Sequence, residues 1–355
     1  MAESDKNEIY LSPAPHFSSG RTTRMLMLSV VLSLLPVAAY GIFLFGFPAL
    51  RTILVSVVCC VGFETLFRLL TRQKPRAGDF SAVITGLLLA MTLPPSIPVW
   101  MTVLGALFAV VVAKELFGGL GANVFNPALS GRAFLFVSFP VAMSSWTAPF
   151  SGASGVSGAD ALSSASVDAV SNATPLSFLK PGEGLSSLSP AEVAARAGFD
   201  SAGEMYWTWF TGQRGGCIGE SAIPVILVMG IVLLLFRVID WRAPAAMLVS
   251  AVAVTWIAGV DPVLTLLSGG LLFGAVFMVT DYATAPQTSR GRLLFGAGCG
   301  VITALIRVFG GYPEGVMFSI LIMNAVAPFL NRLTGRKYGW TPPAGKGKSA
   351  KGGAA

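Results

Sequence analysis

The chain has 355 residues, of which 54% are hydrophobic and only 12% are charged. A soluble domain carries about 25% charged residues, and so few charges cannot clothe a water-facing surface. That excludes a soluble enzyme, a disordered chain and a nucleic-acid binder, despite the formal net charge of +7.

A polar leader, residues 1–24, ends in Arg21 and Arg24. It holds the single histidine, His16, which excludes a site built on two or three His ligands of this chain. The apolar run that follows is longer than a signal-peptide core and lacks a clear cleavage site, so it reads as a retained span. Hydropathy predicts spans at 25–47, 49–70, 80–94, 98–117 and 124–140. After a Ser-, Ala- and Gly-rich segment at 141–216, it predicts five more at 217–237, 243–259, 262–280, 292–309 and 314–331. A basic tail, 332–355, closes the chain. The expected fold is an all-α polytopic membrane protein of about ten transmembrane helices. Cys59, Cys60 and Cys299 lie in apolar runs and no C-x-x-C pair exists, so the cysteines read as small hydrophobes.

Basic residues sort to the cytoplasmic side of a membrane. With the N-terminus inside, the even-numbered loops carry Arg68, Arg72, Lys74 and Arg76, then Lys114, then Arg237 and Arg242, then Arg290 and Arg292. The short odd-numbered loops hold Pro94–Pro98, Asp261 and Glu314, with Arg51 their only basic residue. Both termini are therefore expected in the cytoplasm, and 141–216 outside. Five spans on each side of that segment make any repeat inverted. At an offset of 192 residues, Thr92, Pro94, Phe117, Gly118, Gly119 and Val124 fall on Thr284, Pro286, Phe309, Gly310, Gly311 and Val316. Two inverted five-helix repeats, 25–140 and 217–331, are the expected architecture. The paired T-x-P sites read either as helix breaks that free carbonyls toward a path or as ordinary span ends.

Two acids interrupt apolar runs: Glu64 in the second span and Asp281 at the end of the eighth. Intramembrane acids are functional by default, and both are candidates for an ion path. The alternatives are a pair with Arg68 one turn on for Glu64, and a helix cap for Asp281. Asn123 and Asn126 lie beside Gly118, Gly119 and Gly121. Asn126 before Pro127 also fits a helix N-cap. Tyr206, Trp207 and Trp209 read as an interfacial aromatic belt before the sixth span, with flavin stacking as the alternative.

One stretch of the outer segment is organised: Asp168-Ala169-Val170-Ser171-Asn172-Ala173-Thr174-Pro175-Leu176. On its own it reads as a turn before Pro175. As D-x-x-S-x-A-T it resembles the flavinylation motif of the D subunit of the Rnf electron-transport complex, also found in the B subunit of the sodium-pumping NADH:quinone oxidoreductase. The family has Gly where this chain has Asn172, a residue that accepts left-handed backbone angles. Ser12-Pro13-Ala14-Pro15-His16, Gly118 to Ala128, and Val279-Thr280-Asp281-Tyr282-Ala283-Thr284-Ala285-Pro286 resemble further segments of this family. The length and loop position match the Rnf protein better than the longer quinone-reductase protein.

The resemblance implies FMN joined through a phosphodiester to the Thr174 hydroxyl, with Asp168, Ser171 and Ala173 as the rest of the motif. It implies a non-covalent riboflavin with Asn123 and Asn126 as ligands, and cation movement past Glu64 and Asp281. The implied partners are the A, B, C, E and G proteins of the Rnf complex, a flavin transferase for maturation, membrane lipid, and Na⁺ or H⁺. The implied function is electron relay in an ion-translocating ferredoxin:NAD⁺ oxidoreductase of the bacterial inner membrane. The rival readings are a channel or carrier of small polar solutes, which has no need of the flavin motif, and the B subunit of the quinone reductase.

Overall fold

The computed structural model describes residues 22–74, 77–150, 190–310 and 315–335. Among these residues every regular element is helical. Helix α1, Thr23–Phe45, starts at Thr22, whose hydroxyl accepts from the Met25 N–H at 3.3 Å. Gly46, at φ 68°, turns the chain directly into α2, Phe47–Leu70. Helix α3 is Ser81–Met91, α4 is Val99–Leu107 and α5 is Pro127–Ser138. Two short helices, α6 (Pro190–Arg196) and α7 (Ala202–Phe210), precede α8 (Ile223–Leu235) and α9 (Arg242–Ile257). Then come α10 (Pro262–Leu267), α11 (Leu271–Phe273), α12 (Ser289–Phe309) and α13 (Val316–Thr334).

Each of the ten predicted segments contains helix. Five stretches are long and apolar enough to cross a bilayer: Thr23–Phe45, Phe47–Leu70, Val99–Phe117, Ser289–Phe309 and Val316–Thr334. Their outer faces are apolar, with Val58, Leu70, Phe309 and Leu333 each at least 68% exposed. A soluble protein would hide such residues; lipid accepts them. The chain is a multi-pass membrane protein.

Helices cannot be driven together in lipid by hydrophobicity, so close approach and internal polar contacts hold them. Gly86 on α3 shows the first device: a Cβ there would lie 2.7 Å from the Val57 Cα of α2. Gly296 and Gly300 do the same on α12, against Ala243 and Ser250 of α9. One core cluster joins Leu34 of α1, Cys60 of α2, Leu89 of α3, Ile226 of α8, Met247 of α9 and Ile320 of α13.

Two predicted spans come out differently. The sixth was expected from 217, but α8 begins at Ile223. Residues 217–219 instead serve the end of α3, where the Ile218 and Gly219 N–H groups donate to Leu93 O and Met91 O at 3.3 and 2.8 Å. The eighth, expected as one run over 262–280, is broken between Leu267 and Leu271. Ser268-Gly269-Gly270 carries the break, with Gly269 at φ 60°. The carbonyls it frees are met from α12, where Arg307 donates to Thr265 O at 3.0 Å and to Ser268 O at 2.9 Å. Carbonyls at membrane depth must find such partners. The T-x-P sites are not where a helix is interrupted: both lie in connections, after α3 and before α12.

Candidate functional site

The fold gathers four charges in its interior. Glu64 and Arg68 stand one turn apart on α2. After α4 the chain continues as a π-turn, Phe108–Val112, and this places Lys114 and Glu115 beside them. The Lys114 ammonium donates to Glu64 Oε2 at 2.7 Å and to the Ser81 hydroxyl, at the start of α3, at 2.7 Å. Arg68 Nε lies 3.1 Å from Glu115 Oε2 and 3.8 Å from Glu64 Oε1, and its Nη2 donates to Glu115 Oε1 at 3.2 Å. All four side chains are at most 3% exposed. Two acids against two bases leave the cluster neutral, which is how burial of four charges is tolerated. Gly119, at φ +89°, closes the cluster; a Cβ there would lie 2.6 Å from Arg68 Nη2.

Lys114 and Ser81 also line a small cavity of about 80 Å³, whose wall contains Asn123, Asn126 and Asp281. Three predicted site positions thus share one cavity, with the fourth, Glu64, one hydrogen bond behind it. Asp281 Oδ1 accepts from the Ala283 N–H at 3.3 Å and its Oδ2 from the Thr284 hydroxyl at 3.1 Å. This is a local cap with no helix behind it, and among the described residues no base pairs with it. Asn126 caps α5, accepting from the Leu129 N–H at 3.3 Å. Its Nδ2 has no protein partner among the described residues. Asn123 is spent on its own loop, taking the Gly121 N–H at 3.3 Å and donating to Phe125 O at 3.1 Å. The two amides lie in a loop before α5, not on one helical face.

At its mouth Asp281 also lines a groove with Asp240, Arg242 and Arg292. Asp240 Oδ2 sits 3.0 Å from Arg242 Nη1 and 2.8 Å from Arg292 Nη1. Partial burial pushes the Asp240 carboxyl up, but the Arg242 N–H and the Arg292 and Arg242 guanidinium groups outweigh it and hold it below the usual carboxylate range.

A second chamber backs onto the first. Phe277 and Ala128 line the first cavity; their neighbours Met278 and Leu129 line the second. The second holds Arg132, Cys217, Glu220 and Arg307. Arg132 Nη2 reaches Cys217 Sγ at 3.5 Å, and that thiol donates to Thr92 O at 3.1 Å. Arg214, 5% exposed, donates to Glu220 O at 3.1 Å.

The sequence reading missed the cations. Lys114 counted there only as a marker of topology, and Arg132 and Arg307 were left inside their spans. The signal was present, because basic residues inside apolar runs are as costly as acidic ones. Trp209 is buried against Val193, Met205 and Leu264, so it offers no free face to a flavin, whereas Trp207 is exposed. The motif residues Asp168, Ser171, Ala173 and Thr174 lie outside the described residues.

Fold and site together define an all-helical multi-pass membrane protein with a buried ion cluster at an internal cavity. Residues 10–339 match the model of the NQR2, RnfD, RnfE family, and the chain belongs to that family. It is 40% identical over 343 residues to the D subunit of the proton-translocating ferredoxin:NAD(+) oxidoreductase complex of Clostridium ljungdahlii, covering 94% of this chain and 97% of that one. It is 38% identical over 341 residues to the D subunit of the Na(+)-translocating complex of Acetobacterium woodii, at the same coverage. It is 38% identical over 339 residues to the D subunit of the ion-translocating oxidoreductase complex of Escherichia fergusonii, covering 91% and 96%.

Proposed function

We propose that this chain is the D-type membrane component of an Rnf ion-translocating ferredoxin:NAD⁺ oxidoreductase complex. It carries FMN on Thr174 and couples electron relay to movement of Na⁺ or H⁺ past Glu64 and Asp281. The observation that carries this reading is the shared cavity: Asp281 and Asn126 line it together with Lys114, whose ammonium donates to Glu64 behind the wall. Relatives of near-identical length that are components of ion-translocating oxidoreductases support it. The chain has no Rossmann or iron–sulfur motif, so NAD⁺ and ferredoxin fall to partner proteins of the complex. A flavin accepts two electrons and passes them on singly, which no side chain can do. A covalent tether keeps it at a fixed effective concentration near its partners.

The cavity suits a second flavin, riboflavin. Asn126 Nδ2 is a free donor among the described residues, and Leu88 and Phe277 give apolar walls for a ring. Asn126 would hold the ring edge, while Asn123 orders the loop that carries it. The charge distribution supports cytoplasmic termini, an extracytoplasmic flavin-bearing segment 141–216, and two inverted repeats in the bacterial inner membrane.

Co-expression with a flavin transferase, followed by denaturing electrophoresis and in-gel fluorescence, tests the FMN assignment. A fluorescent band is expected for the unaltered chain and none for Thr174→Ala. A band of unchanged intensity in Thr174→Ala contradicts it.

A further inference from the structure

Lys114 enters the function proposed above only as part of the cavity wall, and its surroundings give it a role of its own. Its ammonium group is buried, yet it lies in a cavity wall. Two of its three N–H groups are used, on Glu64 and on Ser81. Asp281 lines the same cavity, without a basic partner of its own among the described residues. A lysine carries its charge on a stem of four rotatable carbons, whereas an arginine ends in a fixed planar fork. Arg68, by contrast, is held on Glu115 by two contacts. Glu64 Oε1 adds a second observation: it is buried and lacks a hydrogen-bond partner. Arg68 Nε stands 3.8 Å from it.

The charges are one short of balance. Lys114 and Asp281 in the wall, with Glu64, Arg68 and Glu115 behind them, sum to −1. One monovalent cation in the cavity brings these five charges to neutrality. We propose that Lys114 is a tethered counter-cation that competes with the transported monovalent cation for Glu64. In the closed arrangement seen here the ammonium occupies the seat between Glu64 Oε2 and the Ser81 hydroxyl. An entering cation takes the place of the ammonium on the Glu64 carboxylate. Lys114 then swings to Asp281, and the cavity becomes neutral. When the cation leaves, Lys114 returns, so the seat is never an empty buried carboxylate. This rests on the reading that Glu64 and Asp281 lie on the ion path, and it adds what sets their affinity.

The test uses Na⁺ alone as the probe and needs neither flavin nor electron donor. The purified full chain in detergent is unfolded by heat across a NaCl series, with choline chloride holding ionic strength constant. The concentration of Na⁺ that gives half the rise in unfolding midpoint is read for each variant. Lys114→Gln is expected to lower it at least tenfold, because the competitor is gone. Asp281→Asn is expected to raise it, because Lys114 loses its second seat. Glu64→Gln added to Lys114→Gln is expected to abolish the response. Ser81→Ala keeps every charge and removes one tether of Lys114; a fall of about threefold is expected, and it serves if Lys114→Gln does not fold. An unchanged half-point in both Lys114→Gln and Ser81→Ala overturns the proposal. So does a response that survives in the double variant, or the absence of any Na⁺ response. Electron-driven transport measured separately in vesicles tells such a failure apart from failure of the proposed function.

Discussion

The molecule buries two sets of charges and settles them differently. Around Lys114 two acids meet two bases, side chain to side chain. Around Arg307 backbone carbonyls take part: those of Thr265 and Ser268 accept from Arg307, and that of Glu220 from Arg214. Among the described residues three arginines stand there against the single carboxylate of Glu220. The first set is neutral and stands beside a cavity whose wall includes Asp281. The second spends its positive charge on holding a broken helix in place. A neutral cluster with a flexible lysine suits exchange with a small cation. Arginines held on fixed carbonyls suit a structural role.

Breaking one pair in the first set is the harshest test of this contrast. Arg68→Met leaves Glu115 without its partner, and a loss of about 3–5 kcal/mol is expected. Yield and thermal midpoint in detergent report it. Arg68→Met combined with Glu115→Leu removes both charges and is expected to recover most of the loss. No recovery would mean that the pair is not the unit of stability. Arg307→Met strips a charged donor from two carbonyls at the α10–α11 break. A loss of about 2–4 kcal/mol is expected, since charge-assisted hydrogen bonds are worth about 1.5–3 kcal/mol each. A midpoint equal to that of the unaltered chain would remove Arg307 from the support of the break. Gly119→Ala meets both a positive φ and the Arg68 guanidinium; a loss of about 1–3 kcal/mol is expected.

The smallest effect belongs to the half-exposed trio at the mouth. Asp240→Asn is expected to lose about 1 kcal/mol or less. Because the folded carboxyl lies below its unfolded value, its contribution is complete above the unfolded pKa of about 3.9. It is lost as pH falls below that through the folded pKa. A thermal midpoint followed from pH 6 to pH 3 is therefore expected to converge for variant and unaltered chain at the acid end.

Much of this was legible in the sequence. Long apolar runs placed α1, α2 and α5 within a few residues, and Asn126 before Pro127 marked the start of α5, because hydropathy and caps are local signals. Glu64 and Asp281 stood out because charge inside an apolar run is rare. What was not legible depended on distant partners. The break before α11 is supported from α12, some forty residues on. Residues 217–219 looked like the start of a span because nothing local shows that they serve α3. Lys114 looked like a loop residue because its burial depends on α2 and α3. The flavin motif was legible only by resemblance, as a short pattern in a Ser-rich segment.

The central claim is that the cavity around Asp281 and the Lys114–Glu64 pair couples ion movement to electron flow. The most direct measurement reconstitutes the complete complex in sealed vesicles and follows ferredoxin-to-NAD⁺ electron transfer and ion uptake together. For Asp281→Asn and Glu64→Gln, electron transfer is expected to persist while ions moved per electron fall at least tenfold. An unchanged ratio in both variants would contradict the account.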